Sequence, residues 1–288
     1  MYAISGITGK VGGTLARTLL GRGQQVRAVV RDPGKGAEWA AQGCQVAVAQ
    51  MDDAQALTAA FAGAAAVFIL PPPVFDPSLG YPEMRRVVDA LAEALKTAGP
   101  NRVLSLSTVG AQATHDNLLS QLSMVEKELS TLAMPVTFLR PAWYLDNAAW
   151  DVTTARESGV IHSFLGPLDR AIPMVATRDV GRVAADLIQQ EMPRHGIVEL
   201  EGPRRVSPND LASAFTKALG KPVRAQAVPR NTWEALFRSQ GMQHPNPRIR
   251  MLDGFNEGWL DFAAPVASTI KGSVDVDEAI EALIRAKP

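Results

Sequence analysis

Three glycines near the amino terminus, Gly6, Gly9 and Gly12, stand in the spacing G-x-x-G-x-x-G between the apolar run Ala3-Ile4-Ser5 and the pair Leu15-Ala16. That spacing predicts a strand that turns sharply into a helix. Gly6 frees the chain to turn, Gly9 admits a pyrophosphate close to the backbone, and Gly12 lets the helix pack tightly. A helix beginning near Lys10 presents N–H groups without intrahelical partners at the positive end of its dipole, which is where an anion binds. The candidate phosphate contacts are therefore Gly6, Thr8, Gly9, Lys10, Val11 and Gly12. A tight strand-to-helix turn with no ligand uses the same residue types, so the rest of the chain has to decide between the two.

The elements around this turn alternate. Gln25 to Val30 is a β-rich run that ends in Arg31-Asp32-Pro33-Gly34, read as a turn. In a dinucleotide-binding unit this strand end lies beside the adenosine ribose. An acid there binds the 2′-hydroxyl and an arginine accommodates a 2′-phosphate. Arg31 offers a planar guanidinium, so NADP(H) is expected over NAD(H), with Asp32 left open as a ribose contact. A third strand at Val46 to Ala49 leads to Asp52 and a helix holding Leu57 and Phe61. Ala65 to Leu70 is apolar throughout, as in a parallel strand covered on both faces. Phe75 follows in a proline-rich loop. A helix from Pro82 to Ala98 closes at Gly99-Pro100, and Arg102 to Thr108 forms a strand with Ser105, Ser107 and Thr108 toward its carboxyl end. A helix over roughly 117–132 and a strand from Val136 to Arg140, ended by Pro141, complete the series. Such alternation predicts an α/β fold with a doubly wound parallel sheet. Ligands bind at the carboxyl ends of its strands, which adds Leu70 and Ser107 to the expected cofactor contacts and Phe75 to the expected acceptor wall.

At 288 residues the chain is long enough for one large and one small lobe. Residues 1–150 are assigned to the nucleotide-binding domain and 151–288 to a smaller α+β lobe, with a helix near 177–190 packing back on the sheet. Aromatics cluster after Pro141, and Trp143 and Trp233 are chosen as pocket residues. Ser207 to Gly220 reads as a capped helix, and 253–262 and 276–286 as closing helices.

Twenty-nine basic residues balance 29 acidic ones, so no overall field favours nucleic acid, and none is expected to bind directly. The single cysteine, Cys44, cannot form an internal disulfide or a Cys cluster, and no histidine has metal-ligand spacing, so no metal is expected. The longest apolar stretch, Ala64 to Leu70, runs into Pro71-Pro72-Pro73, far short of a membrane span. These features predict a cytoplasmic protein.

Several ordered segments together resemble the NmrA-like branch of atypical short-chain dehydrogenases/reductases. They are the glycine turn with Thr8, Arg31 after the second strand, Leu104-Ser105-Leu106-Ser107-Thr108 with Val109-Gly110-Ala111, Val125-Glu126-Lys127-Glu128-Leu129, and Thr137-Phe138-Leu139-Arg140-Pro141. Ile172-Pro173-Met174 with Asp179-Val180, and Glu199 to Pro203 with Val206-Ser207, extend the likeness over nearly the whole chain. The resemblance implies an NADP(H)-binding Rossmann domain, a C-terminal acceptor lobe and a place for Asp52 near the adenine.

Two departures concern the chemistry. No Tyr-x-x-x-Lys occurs, because the residues four after Tyr2, Tyr81 and Tyr144 are Gly6, Arg85 and Ala148. Many relatives carry Lys or His four residues before the glutamate matching Glu126, and Leu122 stands there. Hydride transfer to a conjugated acceptor still needs little beyond placement, since water can supply the proton. The expected activity is therefore NADPH-dependent reduction of a small conjugated or carbonyl-type acceptor, quinone- or azo-like. Thr108 and Tyr144 are the candidate catalytic hydrogen-bond donors and His115 covers the site. The alternative is a non-catalytic, NADP(H)-binding redox sensor that acts through a protein partner.

Overall fold

Strand and helix follow one another from the first residues of the computed structural model, which describes residues 1–191, 195–263 and 269–286. The first half runs β1 (Tyr2–Ser5), α1 (Lys10–Gly21), β2 (Val26–Val30), α2 (Pro33–Ala40), β3 (Gln45–Val48), α3 (Ala54–Phe61), β4 (Ala66–Ile69), α4 (Pro82–Ala98), β5 (Arg102–Leu106), α5 (Ser120–Leu129) and β6 (Val136–Pro141). The second half runs β7 (Trp143–Tyr144), α6 (Val152–Ser158), β8 (Val160–Ser163), β9 (Met174–Val175), α7 (Thr177–Leu187), β10 (His195–Glu201), α8 (Pro208–Leu219), β11 (Arg224–Ala227), α9 (Trp233–Ser239), α10 (Asn246–Glu257), β12 (Ile270–Lys271) and α11 (Val276–Arg285).

Eight strands form one parallel sheet in the order β12-β10-β6-β5-β4-β1-β2-β3. The chain moves outward from β1 through β2 to β3, returns to β4 on the other side of β1, and proceeds outward again. The doubly wound α/β expectation is met, and the switch point lies between the carboxyl ends of β1 and β4, where such sheets open a ligand crevice. Helices α3, α4 and α5 cover one face through Leu57, Phe61, Leu91 and Leu129, and α1 and α7 cover the other through Leu15, Leu19, Val180 and Ala184. Gly181 brings α7 onto α1, since a Cβ there would sit 2.8 Å from Val11 O. A third apolar cluster, around Phe215, Trp233, Phe237 and Phe255, is the core of the second lobe. Among the described residues no helix is long and apolar enough to cross a membrane.

Three local readings change. Arg31-Asp32-Pro33-Gly34 opens α2 instead of ending in a turn: the Asp32 carboxylate accepts from Gly34 N at 2.8 Å and Pro33 takes the first helical position. Asx-Pro serves a turn and a helix start equally well, which is why the sequence misled. The closing helix expected at 253–262 is α10, which starts at Asn246 and stops at Gly258 (φ 90°), leaving Trp259 and Phe262 beyond it. The large sheet also extends past residue 150, because β10 pairs with β6 and β12 with β10.

Candidate functional site

The turn between β1 and α1 is built from backbone. Gly6 has φ 65°, and Gly9 N donates to Gly6 O at 3.0 Å. A Cβ on Gly12 would press on Gly6 O and lie 2.7 Å from Gly6 C and 2.9 Å from Ile7 Cα, so the helix and the turn meet backbone to backbone. No side chain caps α1 and no acid stands in its first turn. Thr8, Gly9 and Lys10 are exposed, whereas the Val11 side chain is buried and only its main chain faces the turn. N–H groups on a dipole end with no acid in the helix's own first turn form an anion cradle, and these residues fit a dinucleotide pyrophosphate.

Leu70 closes the other side of the switch point. A Cβ on Gly6 would stand 2.9 Å from Leu70 Cβ, so the leucine packs over the turn. Ser5 ties the two strands: its hydroxyl donates to Phe68 O (3.2 Å) and accepts from Leu70 N (2.8 Å). At the end of β2 the Arg31 side chain is exposed and makes no ion pair or hydrogen bond among the described residues. Asp32, occupied as the α2 cap, leaves that guanidinium as the free polar group of this strand end. Asp52 is exposed beyond β3.

The end of β5 rests on a buried ion pair. Arg140 on β6 grips Glu126 of α5 through Nε (2.8 Å) and Nη2 (2.6 Å), reaches Gln112 Oε1 at 3.1 Å, and approaches Glu199 Oε1 at 3.6 Å. Burial alone would lower the Arg140 pKa, but the bonds to Glu126 outweigh it and hold the guanidinium above its ordinary value. Ser107, expected as a cofactor contact, donates its hydroxyl to Glu126 and leaves only an acceptor lone pair for anything else. Thr108 is half-buried with its hydroxyl on Val109 O at 3.1 Å. Sequence reading singled out Glu126 and Arg140 only as parts of motifs. Their pairing, across 14 residues, carries no local signal.

Tyr144 follows on β7. Its hydroxyl has no protein partner among the described residues, and burial, then Asp146, push its pKa up. It therefore stays a protonated donor at neutral pH. Asp146 joins this segment to the glycine turn: Oδ1 accepts from Lys10 Nζ (2.9 Å) and Thr177 Oγ1 (2.8 Å), and Oδ2 from Thr177 N (2.8 Å). Burial would raise its pKa, but these donors hold it below the usual carboxylate range.

Asp151, a few residues on, behaves oppositely. Burial raises its carboxyl to about 6, against smaller lowering effects from the His162 N–H and imidazole. With the folded-state pKa above the unfolded one, its contribution to stability is complete below about pH 4 and is lost as pH rises through 6. Asp151→Asn is expected to match the parent near pH 4 and to exceed it by about 1–2 kcal/mol at pH 7, after solvent screening of a partly exposed group. Denaturant midpoints at the two pH values check this, and a constant difference between the proteins would refute it.

The expected acceptor wall is assembled only in part. His115 stacks on Trp259 (centroids 4.8 Å), and Trp143 meets the edge of Phe255 at 5.2 Å. Leu260 seats on Gly110 (φ 74°), where a Cβ would lie 3.5 Å from Leu260 Cα, so the second lobe docks on the loop after β5. Phe75 is 61% exposed, and its loop is clipped to the second lobe by Asp76, whose oxygens accept from Gln243 N and His244 N, each at 2.7 Å. Trp233 stands apart from this group. It is 3% exposed, donates to Val228 O at 2.9 Å and packs on Phe164. The cleft it borders, about 300 Å³, is lined by Ser163–Gly166, Val228, Arg230 and the end of α10, with no residue of the glycine turn or of β5. Packing within the lobe core holds it there. Tyr81, the residue before α4, donates to Asp116 and Asn117 O, a structural use.

The NmrA-like family model matches residues 2–266. The chain is 26% identical over 275 residues to the NAD(P)H azoreductase of Xenophilus azovorans, covering 94% of this chain and 91% of that one. It is 29% identical over 246 residues to quinone oxidoreductase 2 of Escherichia coli (strain K12), covering 84% and 82%. The crystal structure of the NADPH-dependent quinone oxidoreductase of Escherichia coli complexed with NADPH superposes with a TM-score of 0.81 at 26% identity, over 98% of this chain and 99% of that one.

Proposed function

The chain belongs to the NmrA-like family, and from that premise we propose that it is an NADPH-dependent oxidoreductase delivering hydride to a small conjugated acceptor of quinone or azo type. The observation that carries the reading is the uncapped, acid-free start of α1 behind a turn whose Gly6 and Gly12 leave no room for a Cβ. It is supported by two relatives, a reductase of azo compounds and a quinone oxidoreductase, each similar over most of its length.

In this reading the main chain of Gly6, Thr8, Gly9, Lys10, Val11 and Gly12 binds the pyrophosphate, with Leu70 and Ser107 at the nicotinamide side and Asp52 toward the adenine. When bound, the nicotinamide supplies the hydride. Thr108 and Tyr144 donate hydrogen bonds to the acceptor, the tyrosine hydroxyl being kept protonated by its surroundings. Phe75, His115 and Trp143 wall the acceptor, and Trp233 supports the lobe from behind. With Leu122 where relatives carry Lys or His, the proton comes from water. The single cysteine, Cys44, is free and buried, which suits the reducing cytoplasm to which we assign the protein.

Purified protein, NADPH and a panel of neutral quinones and azo dyes test this directly. NADPH oxidation well above the buffer rate is the expected result. Micromolar NADPH binding without turnover would replace the reading with the other one, a dinucleotide-sensing regulator, which the half-buried Leu122 favours. Cofactor preference follows from the unpaired Arg31. Arg31→Ala is expected to weaken NADPH binding by roughly 1.5–3 kcal/mol, the range for charge-assisted hydrogen bonds, and to leave NADH nearly unaffected. Equal losses for both cofactors in fluorescence titration would refute a 2′-phosphate contact.

A further inference from the structure

Three arginines of this protein each bind a carboxylate through two nitrogens. Arg140 holds Glu126, and Arg230, Nε and Nη2, holds both oxygens of Asp253 at 2.6 and 2.8 Å. Arg205 holds both oxygens of Asp261 at 2.6 and 2.8 Å. Arg248 has no carboxylate partner among the described residues. On the first turn of α10 and half-buried, it holds its guanidinium carbon over the fully buried Phe237 ring, 4.4 Å from the centroid. Its other polar contact among the described residues is weak, Nη1 to Met242 Sδ at 3.8 Å, and it makes no ion pair among them. Burial holds its pKa below the ordinary arginine value. A guanidinium seated over an aromatic face is attracted to it electrostatically while its N–H groups remain able to read an oxoanion. Leaving such a cation desolvated and unpaired is costly unless an anion arrives.

The position of Arg248 says which anion. Its neighbour Pro247 accepts from Leu118 N at 2.9 Å, which fixes the start of α10 against the loop that carries Thr108 and His115. Seven residues on, two turns along the same helix face, Phe255 meets Trp143, the residue before Tyr144. Phe255 is itself buried, so the half-buried Trp143 packed on it marks the far end of a span of roughly 10 Å along the helix from Arg248, about the length of a bicyclic conjugated acceptor with one substituent.

We infer that Arg248 is the anion receptor of the acceptor cleft, so that the preferred acceptor carries a carboxylate, sulfonate or phosphate group beside its reducible core. This rests on the oxidoreductase reading above and deepens it to a substrate class. The test compares 1,2-naphthoquinone-4-sulfonate with neutral 1,2-naphthoquinone as acceptors, in the presence of NADPH, for the parent, Arg248→Met and Arg248→Lys. The anionic-to-neutral ratio of kcat/KM is expected to fall roughly tenfold to a hundredfold in Arg248→Met, chiefly through KM, and to recover partly in Arg248→Lys. A second arm needs no turnover. Calorimetry of naphthalene-2-sulfonate and neutral 2-naphthol with the NADP⁺-loaded protein should show the sulfonate, and not the naphthol, bound at least about tenfold more weakly by Arg248→Met. An unchanged ratio in the first arm, or equal losses for both probes in the second, overturns the assignment. If the parent reduces neither quinone, the oxidoreductase reading fails and the binding arm alone decides for or against Arg248.

Discussion

Gly12→Ala is expected to abolish tight NADPH binding, with affinity falling at least about a hundredfold, or roughly 2.7 kcal/mol. The added methyl group would meet Gly6 O, Gly6 C and Ile7 Cα, all of them main-chain atoms, so no side chain can rotate out of its way. The start of α1 must then withdraw from the turn, and the N–H groups that would hold the pyrophosphate lose their common focus. Overpacking should also lower stability by about 1–3 kcal/mol. Gly21→Ala is the matched control at the far end of the same helix, where a Cβ meets nothing within 4 Å. It should bind NADPH like the parent and gain a few tenths of a kcal/mol to about 1 kcal/mol in stability. Calorimetric titration of the two variants separates the cases, and parent-like affinity in Gly12→Ala would show that the turn holds no phosphate.

Arg140→Met should cost about 3–5 kcal/mol of folding stability, because it leaves Glu126 and Glu199 buried near one another without their shared cation. Ser107 still donates to Glu126, but a hydroxyl cannot balance two carboxylates. Replacing Glu126 with leucine as well should recover a large part of the loss, since paired apolar substitutions remove the orphaned charge with its partner. Urea midpoints of the two single variants and the double variant form the cycle. A loss below about 1 kcal/mol in Arg140→Met would mean that the ion pair is not what fixes the end of β5. The same cycle bears on function, because Ser107, the residue before Thr108, donates its hydroxyl to Glu126 of this pair.

What could be read from the sequence follows how local each signal is. Parallel strands such as Ala66–Ile69 are short apolar runs, and the glycines of the first turn are adjacent in the chain, so both stand out without any tertiary knowledge. α8 was legible from end to end, because Ser207 and Asp210 form a reciprocal cap and Gly220 takes the left-handed closing position. β11, with the sequence Arg-Ala-Gln-Ala and mostly exposed, has neither the alternation nor the apolar run of a strand and is held by its pairing with β8. α10 begins among Pro245, Asn246 and Pro247, residues that read as a loop. In the site, contacts made through the main chain were legible and contacts between distant side chains were not. Asp76 finds its donors 167 and 168 residues away, and Arg248 declares itself only once Phe237 is seen beneath it. Trp233 shows the reverse: its aromatic character suggests an acceptor wall, while the cleft it borders holds no residue of the glycine turn or of β5 and its indole N–H is used within the lobe.

The pairing of β10 with β6 sets an order of events during synthesis. Every residue of β6 is buried in the finished sheet, yet its outer edge is covered by a strand made more than 50 residues later. At ribosomal rates of roughly 5–20 residues per second that interval lasts several seconds. Throughout it, the growing chain carries an open, apolar strand edge of the kind that recruits other chains. The nascent first half is thus the aggregation-prone form of this protein, and the arrival of His195–Glu201 ends the exposure.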